Sequence, residues 1–324
     1  MRPLILIKTS YFGGLPPLDG LGAEEREHFS FDRRRLREAD AVVFHIPDYR
    51  PTAADDTPKY RGQAWVAWSM ESRVNYPRLA DPAFMAQFDL TMTYEPGADV
   101  WSPYLPKQAI WQAISGPPAR KDPALAPVVM FQSARLDKSG RNAFAAQLMR
   151  HVLVDSFGQF LHNLDLPVAD TGAATKRTTI ANYRFCLAQE NSIAPDYVTE
   201  KLFDPLRCGT VPIYRGATNV RDYAPDHSYI DGDAYGGPKG LADYLQHLIE
   251  APDDYAAYFA WRSKPLPLAL RERITAADPP AFRRLLEAVT LRMNGSSSRP
   301  IWPAFPMGIG AAAKARIHRV FHRR

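Results

Sequence analysis

Positions 189 to 217 read QENSIAPDYVTEKLFDPLRCGTVPIYRGA, which sets Glu190, Asn191, Asp196, Glu200 and Lys201 within a dozen positions of one another, just ahead of an apolar VPIY run. A protein core avoids such crowding, because every buried charge needs a partner. A loop that grips a polar ligand requires it. If RFCLA is a buried strand, Glu190 and Asn191 emerge at its carboxyl end, and Asp196 or Thr199 caps the helix that follows. The first turn of that helix carries Glu200 and Lys201. Amide N–H groups at a helix start attract anions, and a lysine beside them adds a full positive charge. Glu200, an acceptor, suits the hydroxyls of a sugar. The set fits a phosphate flanked by a sugar. It fits equally an ordinary helix start with Lys201 on a solvated face. Pro205 removes one helical hydrogen bond and crowds the preceding turn, which predicts a kink, or a helix restarted with Asp204 near its cap.

The elements that must hold these residues are short strands alternating with helical patterns. PLILIK (3–8), AVVFHIP (41–47), QAWVAWSM (63–70) and FDLTMTYE (88–95) read as strands, with a charged helix or helix pair over EEREHFSFDRRRLREAD. A loop-rich stretch at 102–127, with seven prolines or glycines, marks a junction. Beyond it PVVMFQSA (127–134), YRFCLAQE (183–190) and TVPIYRG read as strands. SGRNAFAAQLMRHVLVD (139–155) has helical spacing through Phe144, Leu148 and Val152, and YVTEKLFDPLRC and PKGLADYLQHLIEAPDDYAAYFAWR are helical as well. Alternation of this kind predicts α/β units with crossover helices and ligands at the carboxyl ends of strands.

Composition sets the outer limits. The chain has 324 residues, 46% of them hydrophobic, and a formal net charge of +5, enough for about two domains and compatible with acidic ligands. Cys186 and Cys208 lie in apolar segments and read as free thiols in a reducing compartment. LILI near the start is too short for a secretory leader, and no run nears the roughly 18 apolar residues of a membrane span. A cytoplasmic protein is expected.

The run YRFCLAQENSIAPDYVTEKLFDPLRCGTVPIYRGATNVRDYAPDHSYI closely resembles the signature region of the α-1,3-fucosyltransferases, glycosyltransferase family 10. It holds the aromatic-basic-Phe strand, ENS, DY.TEK, G.VP and the later P..S(F/Y)I in order. WSMESRVNYP (68–77) is similar to the family's acidic loop, and FDLTMTYEPGADVWSPY (88–104) to its F…TY…D…PY element. SGRNAFAAQLMRHVLVDSFG resembles an Arg-led helix ending in VD.(Y/F)G. The likeness runs from about 65 to 262 and is weak over 1–60 and after about 295. Two departures stand out: Glu95 follows TY where many relatives carry a basic residue, and Pro205 interrupts the helix.

The resemblance implies an α/β GT-B fold, two Rossmann-like domains facing a central cleft. Residues 1–120 would form the acceptor-side domain, 121–293 the GDP-fucose-binding domain, and 294–324 a linker and basic tail. It implies an inverting enzyme that moves L-fucose from GDP-fucose to a glycan hydroxyl, α-1,3 to N-acetylglucosamine of an N-acetyllactosamine-type or lipopolysaccharide acceptor. Carried over by motif, Glu71 is the general base. Arg141 and Lys201 bind the diphosphate, Glu200 accepts from the donor's sugars, and Asn191 and Tyr197 complete that pocket. No cofactor or metal is required, a divalent ion being at most stimulatory. Without the family, Glu71 reads as a surface carboxylate paired with Arg73, and Arg141 as a solvated helix-start residue. Trp65 and Trp68 suit either an acceptor platform or a buried strand. His45 reads as a satisfied loop histidine, and DGD (231–233) as a turn that only mimics a metal motif.

In the tail, AAAKARIHRVFHRR (311–324) spaces Ile317, Val320 and Phe321 helically among five basic residues and no acid. Such a segment suits an anionic membrane surface, and with it a lipid-linked acceptor on the inner face; a solvated or docked helix is the alternative. Nothing pairs aromatic with basic residues as a nucleic-acid surface does. The competing functions are a related GT-B transferase with another GDP-sugar and an inactive glycan-binding relative.

Overall fold

Strands that are apolar along their whole length must be covered on both faces, which is the condition of parallel sheets under helices. The computed structural model, which describes residues 2–51 and 57–295, contains two such sheets. Six strands form the first: β1 (Ile5–Ile7), β2 (Phe29–Ser30), β3 (Ala41–His45), β4 (Ala64–Ser69), β5 (Leu90–Thr93) and β6 (Val100–Trp101). Five form the second: β7 (Val128–Met130), β8 (Val154–Ser156), β9 (Phe185–Gln189), β10 (Val211–Arg215) and β11 (Ile230–Asp231). Their orders are β2-β1-β3-β4-β5-β6 and β11-β10-β9-β7-β8, every pair parallel. β3, β4 and β9 are buried at every position.

Several helical expectations change. EEREHFSFDRRRLREAD yields one short helix, Ala23–Arg26, then β2 and a 3₁₀ turn at Arg33–Arg37, because it has no continuous apolar stripe. The pattern expected over 139–155 is helical only across Arg141–Leu148; Val154 already belongs to β8. The junction, expected to be loop, contains the helix Gln108–Ala113, whose Trp111 packs edge-on against Phe203 and Trp261. Pro205 does not restart its helix. Glu200–Cys208 is one element, with Asp204 inside it, buried and paired with Lys176 at 3.1 Å. The proline sits past the first turn and sacrifices a single bond. Gly209, at φ 65°, closes the helix in a left-handed cap that disfavours other residues.

The last described helix does not stay with the second sheet. The helix Ala281–Met293 crosses back, and Phe282, Leu285, Ala288 and Val289 join the core that contains Ile5, Val43, Val66 and Trp68. Arg283 forms a two-pronged ion pair with Glu25, and Arg292 pairs with Asp89 at 2.9 Å. This return helix ties the two units together. Both cysteines are free, and among the described residues no helix is long and apolar enough to cross a membrane. The basic segment 311–324 lies outside the described residues.

Candidate active site

The carboxyl ends of β4 and β9 face each other across the cleft, and the loops leaving them touch. Ser72 and Ser192, both fully buried, hydrogen-bond at 2.6 Å. Asn75 donates through Nδ2 to Asn191 Oδ1 at 2.8 Å and to Glu71 Oε2 at 2.9 Å. Tyr197, almost fully buried, donates its hydroxyl to the same Glu71 oxygen at 3.0 Å. Residues more than a hundred positions apart therefore converge on one carboxylate at the seam. The pairing of Glu71 with Arg73 is not formed; Arg73 pairs instead with Glu95.

The second unit supplies a charged cluster. Lys201 Nζ lies 3.1 Å from Glu200 Oε1, 3.1 Å from Thr199 Oγ1 and 3.4 Å from Glu190 Oε2. Thr199, not Asp196, caps the helix, accepting from the Lys201 N–H at 3.4 Å. Asp196 takes a left-handed backbone and accepts from Asn219 and Tyr223. The amides of this helix start are less open to a ligand than the sequence suggests, since Glu190 already accepts from the Thr199 N–H and hydroxyl, both at 2.8 Å. Room for the Glu190 side chain depends on Gly216. A Cβ there would stand 2.5 Å from Glu190 Cγ and 2.4 Å from the Tyr214 hydroxyl.

Electrostatics follows from burial. Desolvation raises the Glu190 pKa, against the opposing pull of Lys201. Desolvation also works against charge on Lys201, but Glu190 and Glu200 outweigh it and leave its pKa above the ordinary lysine value. Glu200 is held below the usual carboxylate range: burial opposes this, and Lys201 and Lys176 overcome it. Arg141 is buried rather than solvated, its Nη2 donating to the carbonyls of Ala134 (2.8 Å) and Leu136 (2.9 Å) while its Nε has no partner among the described residues. Burial lowers its pKa, with Asp137 and Glu190 acting in the opposite sense.

The structure thus groups Glu71, Asn191 and Tyr197 at the seam, with Glu200 and Lys201 in the adjoining cluster, whose fields reach Arg141. Tyr197 faces Glu71 directly. Motif reading passed over Asn75, which joins the two units, and Asp137, whose carboxylate accepts from the N–H groups of Ser139, Gly140, Arg141 and Asn142 and so fixes the start of the Arg141 helix. The DKSG turn was a visible signal for Asp137; nothing local marks Asn75. Trp65 and Trp68 are buried, Trp68 stacked on Tyr11 at 4.9 Å, so neither is an open platform. His45 is fully buried with Nδ1 3.0 Å from Asp48 and Nε2 without a partner among the described residues, where it is only half satisfied. In DGD, Asp233 pairs with Arg215 at 2.7 Å and Asp231 accepts from the Asp233 N–H, which makes a turn. A pocket lined by Ile46, Arg50, Asn75, Tyr76, Pro77 and Arg78 opens on the first unit beside this seam.

Known proteins share this organisation. Residues 121–281 match the family described as "Glycosyltransferase family 10 (fucosyltransferase) C-term", and 3–105 match "Fucosyltransferase, N-terminal". The second match takes in the first sixty residues, where motifs are few. A GDP-fucose protein O-fucosyltransferase 3 of Danio rerio is 34% identical over 70% of this chain and 52% of its own length. A 4-galactosyl-N-acetylglucosaminide 3-alpha-L-fucosyltransferase FUT6 of Pan troglodytes is 34% identical over 71% of this chain and 64% of its own. The chain spans between half and two thirds of the length of these relatives. An alpha1,3-fucosyltransferase solved with GDP superposes with a TM-score of 0.55 at 16% identity, covering 88% of this chain and 91% of that one. That likeness shows the fold, two parallel-sheet α/β units in the GT-B arrangement.

Proposed function

The chain belongs to glycosyltransferase family 10, and on that premise we propose that it transfers L-fucose from GDP-fucose to a glycan hydroxyl with inversion at the fucose carbon. The observation that carries the reading is the placement of Glu71. It sits at the seam, on the first unit, with the charged cluster that holds Lys201 on the second. In an inverting displacement the acceptor oxygen attacks opposite the leaving diphosphate, so base and phosphate clamp belong on opposite sides of the sugar.

In this scheme Glu71 takes the acceptor proton, and Tyr197 and Asn75 hold its carboxylate in place. A positioned base contributes about 10²–10⁴ in rate. Lys201 and Arg141 meet the charge that grows on the leaving diphosphate, where fixed cations in a dry site have most effect. Glu200, at the exposed edge of the cluster, accepts from donor hydroxyls, and Asn191 completes that wall. Ionic stabilisation by these side chains serves the leaving group without calling on a metal.

One similar relative is named for a protein acceptor and another for N-acetylglucosaminides. We take the α-1,3 linkage to N-acetylglucosamine as the working assignment, with the pocket beside Asn75 on the acceptor side, and a cytoplasmic enzyme whose basic tail meets the inner membrane face. The test is to supply GDP-fucose, GDP-mannose and UDP-galactose with N-acetyllactosamine and to determine linkage and anomeric configuration by NMR. Fucosyl product from GDP-fucose alone, α-configured, supports the reading; product from another donor replaces it.

A further inference from the structure

Glu190 has no part in the scheme above, yet it is the most enclosed charge in the cleft, with no surface exposed to solvent. A buried carboxylate persists only when its neighbours compensate it. Here they do so in a chain: Lys201 Nζ donates to Thr199 Oγ1 (3.1 Å), and that hydroxyl donates to Glu190 Oε2 (2.8 Å), which also lies 3.4 Å from the ammonium itself. The other oxygen accepts from the Thr199 N–H at 2.8 Å. The carboxylate is gripped from its backbone as well, since the Glu190 N–H bonds to Arg215 and its carbonyl accepts from Ser139 at 2.6 Å.

The two acids beside Lys201 differ in freedom. The Glu200 side chain is 47% exposed and can turn toward an incoming ligand; that of Glu190 is 0% exposed and cannot. When donor hydroxyls engage Glu200, Lys201 keeps one partner. We propose that Glu190 is a positioning residue of the donor clamp: the immobile counter-anion that holds the Lys201 ammonium in place as the cleft loses water. This rests on Lys201 being a diphosphate ligand, as proposed above. The charged and titratable groups around the ammonium are Glu190 on the strand side, Glu200 on its own helix and Arg141 from the neighbouring helix, with Lys176 acting on Glu200. Glu190 and Glu200 favour the charged lysine; Arg141 opposes it.

The experiment is a pH titration of lysine side-chain NMR signals in ¹³C-lysine-labelled wild type and Glu190→Gln, without and with GDP, the Lys201 signal being assigned by its loss in Lys201→Arg. Glutamine keeps an acceptor for the Thr199 N–H but carries no charge. The Lys201 midpoint is expected to fall by at least about one pH unit in Glu190→Gln, a tenfold change in the protonation constant. GDP binding to that variant should weaken on the alkaline side while staying close to wild type near pH 6. An unchanged midpoint overturns the inference. The titration without nucleotide stands by itself: a wild type that ignores GDP would sink the donor reading and leave the Glu190–Lys201 result to be judged separately. If Glu190→Gln does not fold, Thr199→Ala, which cuts the bridging hydroxyl, is expected to move the midpoint in the same direction by less, and no movement there counts against the inference.

Discussion

The two walls of the cleft are built on different principles. The wall from the second unit is a lattice of charge, in which Glu190, Thr199, Lys201 and Glu200 satisfy one another within 3.4 Å. The wall from the first unit is aromatic and apolar behind a thin polar edge. Trp68 is stacked on Tyr11 and edge-on to Phe282, and among the described residues the Glu71–Asn75 loop supplies the hydrogen bonds to the seam. A charge lattice in a low-dielectric site tolerates little change, because removing one member strands the others. An aromatic wall with an open pocket beside it leaves room for variation. That contrast fits similar relatives whose names carry fucose in common and differ in what receives it.

Substitutions can break this contrast. Glu71→Gln should lower fucosyl transfer by about 10²–10⁴-fold and leave GDP affinity within about threefold, since the base acts on the acceptor side; steady-state rates and calorimetry on one preparation check both halves. Phe282→Ala should cost about 3–5 kcal/mol, because the ring is buried and wedged between Phe29 and Trp68. Denaturant unfolding should report that loss chiefly in the first unit. Thr199→Ala should cost roughly 1–2 kcal/mol, combining a lost helix cap with a Glu190 oxygen left short of a donor. A loss below about 0.5 kcal/mol would show the lattice to be looser than its geometry.

Much of the fold was legible because parallel strands announce themselves. VVF, AWVAW, FCLA and VPIY are apolar without alternation, and each lies in a buried strand. Helices were harder to bound. The spacing of Phe144, Leu148 and Val152 continues past the end of the helix at Leu148, because Val152 packs half-buried against the same core without being helical. The return of Ala281–Met293 to the first sheet was invisible, because its apolar face is the same whichever sheet it covers. At the site, family motifs pointed to Glu71, Lys201 and Glu200. They gave no hint of Asn75, whose partner Asn191 is set by the docking of two units. Glu190 lies in the same motif as Glu200, and its burial separates the roles of the two.

In the proposed enzyme the charge lattice holds a guanosine diphosphate. Calorimetric titration of wild type and Lys201→Ala with GDP, and with UDP as control, tests it most directly. The wild type should bind GDP with no comparable binding of UDP, and the variant should lose roughly 10- to 100-fold, the worth of a charge-assisted contact of about 1.5–3 kcal/mol. Equal GDP affinity in the two proteins would contradict it and remove Lys201 from the clamp.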